Sequence, residues 1–363
     1  GGNEMKKILF VIGTMTNGGA ERVMSVLVTW FCKQGYEVSV TTIIDNKIDY
    51  PLDNRAHYYP LRFKGRGVQR NIDRIRQLRS IMKRTQADVV VSFLSIINIA
   101  TLIASMGLNK KIVLSERNDP SKEPLGRLNR LIRNLLYSFL RCDNFVFQTH
   151  DAMIYFNKSI QNRSNIIPNP LSVLPDIYEG VRRKRIVTIA RLEPQKNISL
   201  LIKCFYNICC RYPDYILDIY GKGILLDELK MYTEMLGIGE KVIFHGFVKN
   251  LHEHIKDASI YVMSSNYEGI SNGMLEALAM GIPVVATDCP IGGAKMYIEH
   301  GINGLLVPVG DEEKLTEALT TMIERPEYAE SLGRRAINIR RDLSVENIGL
   351  MWKRVIDGGD VLQ

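Results

Sequence analysis

The sequence predicts an α/β protein of two domains, each a parallel sheet with helices on both faces. Short, wholly apolar runs alternate with amphipathic helical stretches, as strands buried on both sides require. That alternation occurs twice, on either side of an irregular, proline-bearing segment. The length agrees, because 363 residues exceed one domain of ~150. With 46% hydrophobic and 24% charged residues, the composition is that of a globular chain and excludes a disordered or fibrous one.

In the first series, strands are expected over 8–12, 38–44, 88–92, 111–115 and 144–148, with helices over 20–34, 72–85, 98–106 and 125–141 between them. The order breaks at Ile167-Pro168-Asn169-Pro170 and stays irregular through Pro175 and Gly180, which marks the linker. A second series places strands over 185–190, 215–220, 242–245, 259–263, 283–286 and 304–307. Helices over 312–323, 326–339 and 345–356 close the chain. The expected division is 5–168, 169–343 and a closing helix within 344–357. No short-period repeat accompanies these two similar halves. Open α/β sheets bind ligands beyond the carboxyl ends of their strands, so two facing sheets are expected to share a cleft.

Gly1-Gly2-Asn3-Glu4 ahead of Met5 read as a cloning remnant. The apolar stretch from Met5 to Ile12 is too short for a signal peptide and leads straight into Gly13. No apolar run approaches the ~18 residues of a membrane span. Six cysteines lack CxxC spacing and a paired framework, which fits buried thiols in a reducing compartment and argues against zinc. Adjacent Cys209 and Cys210 read as core packing. A cytoplasmic protein is expected.

The +8 net charge is unevenly spread. Residues 1–180 hold 25 basic and 15 acidic side chains, whereas 181–363 hold 22 and 24, so an anionic partner is expected for the first half.

The most informative stretch is Glu268-Gly269-Ile270-Ser271-Asn272-Gly273-Met274-Leu275-Glu276, after the strand at 259–263 and opening a helix. Backbone N–H groups of Gly269 to Gly273 would be helix-terminal donors and a natural seat for phosphate. Glu276, two turns in and on roughly the same side as Glu268, can accept from sugar hydroxyls. The same spacing also fits an N-capped surface helix with two solvated glutamates. Arg191-Leu192-Glu193-Pro194-Gln195-Lys196-Asn197 follows the strand at 185–190. A planar guanidinium and a mobile ammonium at a strand's carboxyl end suit a diphosphate; a solvated loop fits too. Gly221-Lys222-Gly223 is a lone glycine pair. Gly246-Phe247-Val248 is placed to touch a base by main chain, as many turns are. Thr16-Asn17-Gly18-Gly19-Ala20-Glu21-Arg22 lacks the GxGxxG fingerprint, and no acidic residue completes a ribose site after the second strand, so NAD is disfavoured.

These residues together resemble the retaining family-four glycosyltransferases of GT-B fold, two Rossmann-like domains around a cleft. The likeness covers nearly the whole chain and rests on the E-x7-E motif at Glu268 and Glu276, the R-L-x-x-x-K loop from Arg191 to Lys196, and the turn at Gly18 and Gly19. It implies that Glu268 approaches the donor sugar, Glu276 holds the ribose, and Arg191 and Lys196 neutralise the departing diphosphate. It implies likewise that Gly18 and Gly19 come close to the phosphates and that the helix at 345–356 crosses back to the first domain. Ile291-Gly292-Gly293-Ala294-Lys295, and Val91 to Ala100 followed by Ser115-Glu116, look like the branch extending polyprenyl-diphosphate-linked glycans, notably bacterial N-acetylgalactosamine transferases. Members often carry His after that glutamate; Arg117-Asn118 stand here, so the acceptor contacts at Glu116, Arg117 and Asn118 depart from the pattern.

Arg62 to Arg84 contains nine cations, among them Arg66, Arg70 and Arg74, and one acid, Asp73. Ile72, Ile75, Leu78 and Met82 give it one apolar face. A solvated helix face fits; so does a surface for anionic lipid and a lipid diphosphate. Phe63 is the only ring in the run, which disfavours nucleic acid. His252 and His254 would fall on different helix faces, His150 reads as core or surface, and no Ser or Cys sits in a nucleophile elbow.

The expectation is a retaining transferase moving a sugar, N-acetylgalactosamine or another hexose, from a nucleotide-diphosphate donor of UDP type to a polyprenyl-diphosphate-linked glycan. The setting would be surface polysaccharide or glycoprotein assembly, on the inner face of the cell membrane and without a metal or other cofactor. A UDP-sugar epimerase of the same fold and a non-catalytic nucleotide-sugar-binding protein are the alternatives.

Overall fold

The computed structural model describes residues 5–16, 18–62, 66–124, 126–171 and 176–358. Gly1-Gly2-Asn3-Glu4, Asn17 of the first turn, Phe63 and Lys64 of the cationic run, Leu125, and Pro175 of the linker lie outside the described residues. The chain divides into two compact units, residues 1–172 with 343–363, and residues 173–342.

Unit one comprises β1 (Lys7–Ile12), α1 (Gly19–Lys33), β2 (Glu37–Thr42), β3 (His57–Tyr58), α2 (Gly67–Arg84), β4 (Val89–Phe93), α3 (Ser95–Ser105), β5 (Lys111–Ser115), α4 (Arg127–Phe139), β6 (Asn144–Phe147), α5 (His150–Ile154), α6 (Lys158–Gln161) and β7 (Ser164–Ile166). Unit two comprises β8 (Arg183–Ile189), α7 (Ile198–Arg211), β9 (Ile216–Tyr220), α8 (Leu226–Met235), β10 (Val242–Gly246), α9 (Leu251–Ile255), β11 (Ala258–Met263), α10 (Asn272–Ala279), β12 (Val284–Thr287), β13 (Leu305–Val307), α11 (Glu312–Glu324), α12 (Pro326–Ala336) and α13 (Ile339–Asp342). The last helix, α14 (Val345–Asp357), belongs to unit one.

Among the described residues the sheets run β3-β2-β1-β4-β5-β6-β7 and β10-β9-β8-β11-β12-β13. Every ladder in them is parallel. Both are doubly wound sheets of the order 3-2-1-4-5-6, with a switch point where the chain reverses, beside β1 and beside β8. The apolar runs explain this: all five residues of β4 are buried, as a strand with helices on both faces must be. The unit-two core joins β8, β9, β11 and β12 to α7 and α11 through Ile186, Leu217, Val262, Val285, Phe205 and Leu319.

In unit one, α14 packs on α1. Trp352 is fully buried and stacks on Phe93, with ring centroids 5.5 Å apart. A β-carbon at Gly349 would lie 2.4 Å from the Trp30 indole, so only glycine allows this approach. Trp30 Nε1 donates to Glu346 at 2.8 Å, while Lys6 and Lys111 donate to the carbonyls of Ile356 and Val355. Two ammonium groups thus satisfy carbonyls at the negative end of the helix dipole.

Several elements differ from the expectation. β3, β7, α5 and α6 are too short to show a period. α2 begins at Gly67 rather than 72, because its first turn faces water and leaves no apolar signal. For the same reason Ile72 is 45% exposed, and Ile81 joins Leu78 and Met82 on the buried face. The expected helix over 326–339 ends at Ala336, and α13 starts anew at Ile339.

Candidate active site

In unit two, β8 and β11 are neighbours whose connections leave in opposite directions, so the space beyond their carboxyl ends is the switch point. Two segments meet there: residues 190–197 after β8 and residues 264–271 after β11. Leu192 is fully buried and anchors the first, exchanging backbone bonds with Lys222 and Leu225. Gly221 and Gly223 lie beneath it. A β-carbon on Gly221, whose φ is +137°, would stand 1.9 Å from the Ala190 carbonyl oxygen, and one on Gly223 would stand 2.3 Å from that of Leu192. The structure thus shows backbone packing at this glycine pair.

Pro194–Lys196 forms one 3-10 turn, and Asn197 in the left-handed region (φ 46°) redirects the chain into α7. The second segment is laced to it. Asn266 N–H donates to the Gln195 carbonyl at 2.8 Å, Gln195 Nε2 to the Tyr267 carbonyl at 2.9 Å, and Ser264 Oγ to the Lys196 carbonyl at 2.9 Å. Sequence reasoning missed Gln195, Ser264 and Asn266, whose partners are some seventy residues away.

This lacing brings Lys196 Nζ onto Glu268 Oε2, with side chains only 13% and 14% exposed. Arg191 leans outward, 59% exposed, its guanidinium 3.2 Å from Glu193. Glu268 is held by main chain as well: its N–H donates to the Pro290 carbonyl at 2.6 Å, and Ile291 N–H donates back at 3.0 Å. A β-carbon at Gly293 would lie 1.8 Å from the Gly269 carbonyl oxygen, so Ile291-Gly292-Gly293 closes over the Glu268 loop by backbone contact. Nearby Cys289 is no nucleophile, since burial pushes its thiol up to about 12.

One expectation is corrected. The helix begins at Asn272, not Gly269, because Ser271 is its extended N-cap and accepts from Met274 N–H. Gly269 and Ile270 are buried loop residues. The first turn of α10 still abuts the end of β8, as a β-carbon on Gly273 would lie 3.2 Å from Ile189 Cβ. Glu276, 5% exposed in the second turn, meets His252 of α9, Nε2 to Oε2 at 2.9 Å. Each glutamate therefore has its own cationic or imidazole partner. His252 was set aside in the sequence; its place on the helix after β10 was the available signal. Beside it, Gly246 ends β10 at φ +67°, Phe247 is 58% exposed and Val248 is half-buried.

An ionic cluster around the buried Asp218, which sequence reasoning also missed, ties the strands together. Arg185 of β8 bonds Asp218 of β9 at 2.7 Å and Asp257 at 2.8 Å. His245 of β10 meets Asp218 at 2.6 Å and stacks on Tyr220.

Unit one supplies the remaining candidates. Gly18 caps α1 in extended conformation and Gly19 opens the helix. Glu116 is 3% exposed and accepts from Ser95 Oγ and Tyr137 Oη, each at 2.5 Å; burial raises its carboxyl pKa. Arg117, 8% exposed, donates to Asn169 at 2.5 Å and lies over the Phe93 ring, and burial lowers its guanidinium to about 9. Asn118 donates to Glu123 at 2.7 Å. In this structure Glu116 and Arg117 are thus interior groups. Arg66, at the N-cap of α2, and Arg70 are exposed, and Arg74 is half-buried, its pKa lowered by burial and by Arg70. Arg79 turns inward to the Ala104 and Met106 carbonyls at the end of α3. Among the described residues, no group of three His, Cys, Asp or Glu side chains is placed to hold a metal, and no helix is long and apolar enough to cross a membrane.

Two family models match the chain, Glycosyltransferase Family 4 over residues 17–173 and Glycosyl transferases group 1 over residues 178–339. An uncharacterized glycosyltransferase of Haemophilus influenzae is 28% identical, covering 97% of this chain and 100% of that protein. The GalNAc-alpha-(1->4)-GalNAc-alpha-(1->3)-diNAcBac-PP-undecaprenol alpha-1,4-N-acetyl-D-galactosaminyltransferase of Campylobacter jejuni is 27% identical, over 97% of this chain and 98% of that one. Among solved structures, HepE of Anabaena in complex with UDP and glucose superposes at a TM-score of 0.84 with 19% identity, covering 97% and 99% of the two chains. At that identity the likeness is one of fold.

Proposed function

The chain belongs to the family-four glycosyltransferases of GT-B fold and is a hexosyltransferase, and on that premise we propose that it moves a sugar from a UDP-type donor to a polyprenyl-diphosphate-linked glycan with retention at the anomeric carbon. One observation carries the donor side: Lys196 faces Glu268 at the switch point of unit two, beside the amino end of α10. There the C1–O bond to the diphosphate breaks while an acceptor hydroxyl bonds C1 on the same face and passes its proton to the departing phosphate oxygen. The leaving group gathers negative charge, which Lys196, Arg191 and the amides around Gly269 to Gly273 stabilise in place of a metal. Glu268 attends the donor sugar. Glu276 accepts from the ribose, and Gly246, Phe247 and Val248 take the base.

The lipid-linked acceptor follows from the name of the Campylobacter relative and the basic surplus of unit one. Arg66, Arg70 and Arg74 meet the anionic surface in which such an acceptor is anchored, so the protein works peripherally on the inner face of the membrane. Glu116, Arg117 and Asn118 shape the acceptor side from within.

A binding screen of UDP-, GDP- and ADP-sugars, followed by turnover with a polyprenyl-diphosphate glycan and with chelator present, tests the proposal. UDP-sugar binding with chelator-resistant, acceptor-dependent transfer supports it. An epimer formed without acceptor, binding without turnover, or loss of activity on chelation overturns it.

A further inference from the structure

Helix α4 is built inside out. Toward the protein it buries Arg133, which donates to the Pro120 carbonyl at 2.9 Å and lies over the Phe156 ring, and Tyr137, which donates to Glu116. Toward water it presents Leu128, Leu131, Ile132, Leu135 and Phe139, which are 67%, 56%, 41%, 47% and 81% exposed. Their spacing of three and four residues forms one stripe along the helix. A globular surface helix has the opposite arrangement, so this stripe calls for a cover.

The charges around it identify the cover. Residues 122–141 hold Lys122, Arg127, Arg130, Arg133 and Arg141 against the single acid Glu123. Helices α2, α3 and α4 pack side by side as one layer, and each begins beyond the carboxyl end of a strand in the same parallel sheet. Val68 and Ile72 at the start of α2, Ile96 at the start of α3 and Leu128 at the start of α4 are exposed at the helix ends that follow the strands' carboxyl ends, as are Arg66, Arg70 and Arg127. A protein interface depletes charge at its apolar centre. Apolar side chains among basic ones, on a helix lying flat, match an anionic bilayer surface.

We propose that α4 is the element that docks this protein on anionic membrane, seating its five apolar side chains at the boundary between headgroups and acyl chains. This rests on the reading that the acceptor is lipid-linked, and it adds α4, as the apolar part of the contact, to the basic side chains around α2. The test is co-sedimentation with vesicles of phosphatidylcholine with phosphatidylglycerol, and of phosphatidylcholine alone, with UDP calorimetry as a control of fold. The variant Leu131→Ser with Phe139→Ser should lose about tenfold or more in partitioning onto anionic vesicles while binding UDP as the wild type does. Wild-type partitioning by this variant overturns the proposal. So does equal wild-type binding to neutral vesicles, or a concentration-dependent dimer that the variant abolishes, which would make a second copy the cover. Should the wild type sediment with vesicles through α4 yet bind no UDP, the docking stands and the donor reading fails.

Discussion

Replacing Lys196 by alanine removes the ammonium that meets Glu268, and both stability and turnover should respond. The two side chains are 13% and 14% exposed, so water screens them poorly. At an effective dielectric near 20, unit charges about 4 Å apart attract by ~4 kcal/mol, most of it offset by the desolvation of both groups. Removing one partner leaves the carboxylate desolvated and uncompensated. A fully buried pair loses ~3–5 kcal/mol in that way, and the residual exposure here reduces the figure to about 2 kcal/mol. For a unit of this size that corresponds to about 4–8 °C in Tm. Removing both partners takes away the strained charge as well, so Lys196→Ala with Glu268→Ala should lose less than the two single losses added, by ~1–3 kcal/mol. Turnover of Lys196→Ala should fall by ~10²–10³, since one preorganised donor to the leaving group is gone. Thermal denaturation of the four proteins measures the coupling, and initial rates with saturating donor measure the catalytic loss. Additive stability losses would refute the ion-pair argument. Coupling with wild-type turnover would leave Lys196 a purely structural partner of Glu268.

His252→Ala should weaken UDP binding by about tenfold or more by calorimetry, because it releases the Glu276 carboxylate from a 2.9 Å contact, and His252→Gln should restore part of it; unchanged affinity counts against this positioning role. Gly221→Ala should cost about 2–4 kcal/mol in urea unfolding, since φ +137° strains alanine and its β-carbon meets the Ala190 carbonyl at 1.9 Å; a loss below ~0.5 kcal/mol would show that the loop gives way freely. Burial raises the Glu116 pKa above 4.5, so the folded state keeps a proton that the unfolded state releases, and stability falls as pH rises above 4.5. Glu116→Gln lacks that dependence, and its stability relative to the wild type should improve from about pH 5 to about pH 8 in urea unfolding. A constant difference between the two would mean that Glu116 titrates as it does in the unfolded chain.

Much of this site was legible in the sequence because its signals are local. Apolar runs locate β8 and β11 to within two residues, and the segments that follow a strand's carboxyl end are where ligands bind in such sheets. Arg191, Lys196, Glu268 and Glu276 are candidates on that ground, and the structure brings Lys196 onto Glu268. The start of α10 was placed at Gly269, three residues early, because nothing local in the sequence shows that Ser271 is the cap; the bond from Met274 N–H to Ser271 Oγ does.

The sequence by itself determined the two parallel sheets with helices on both faces and the segments at the carboxyl ends of their strands, since these follow from period over a dozen residues or fewer, and the basic surplus of the first half, which is composition alone. Tertiary structure alone decided that Lys196 meets Glu268, that His252 meets Glu276, that Arg79 and Arg133 turn inward, and that the apolar stripe of α4 faces out. Those outcomes depend on which surfaces come together across tens of residues. An arginine or a leucine carries no mark in the chain of whether its neighbour there will be a carbonyl, a carboxylate or water.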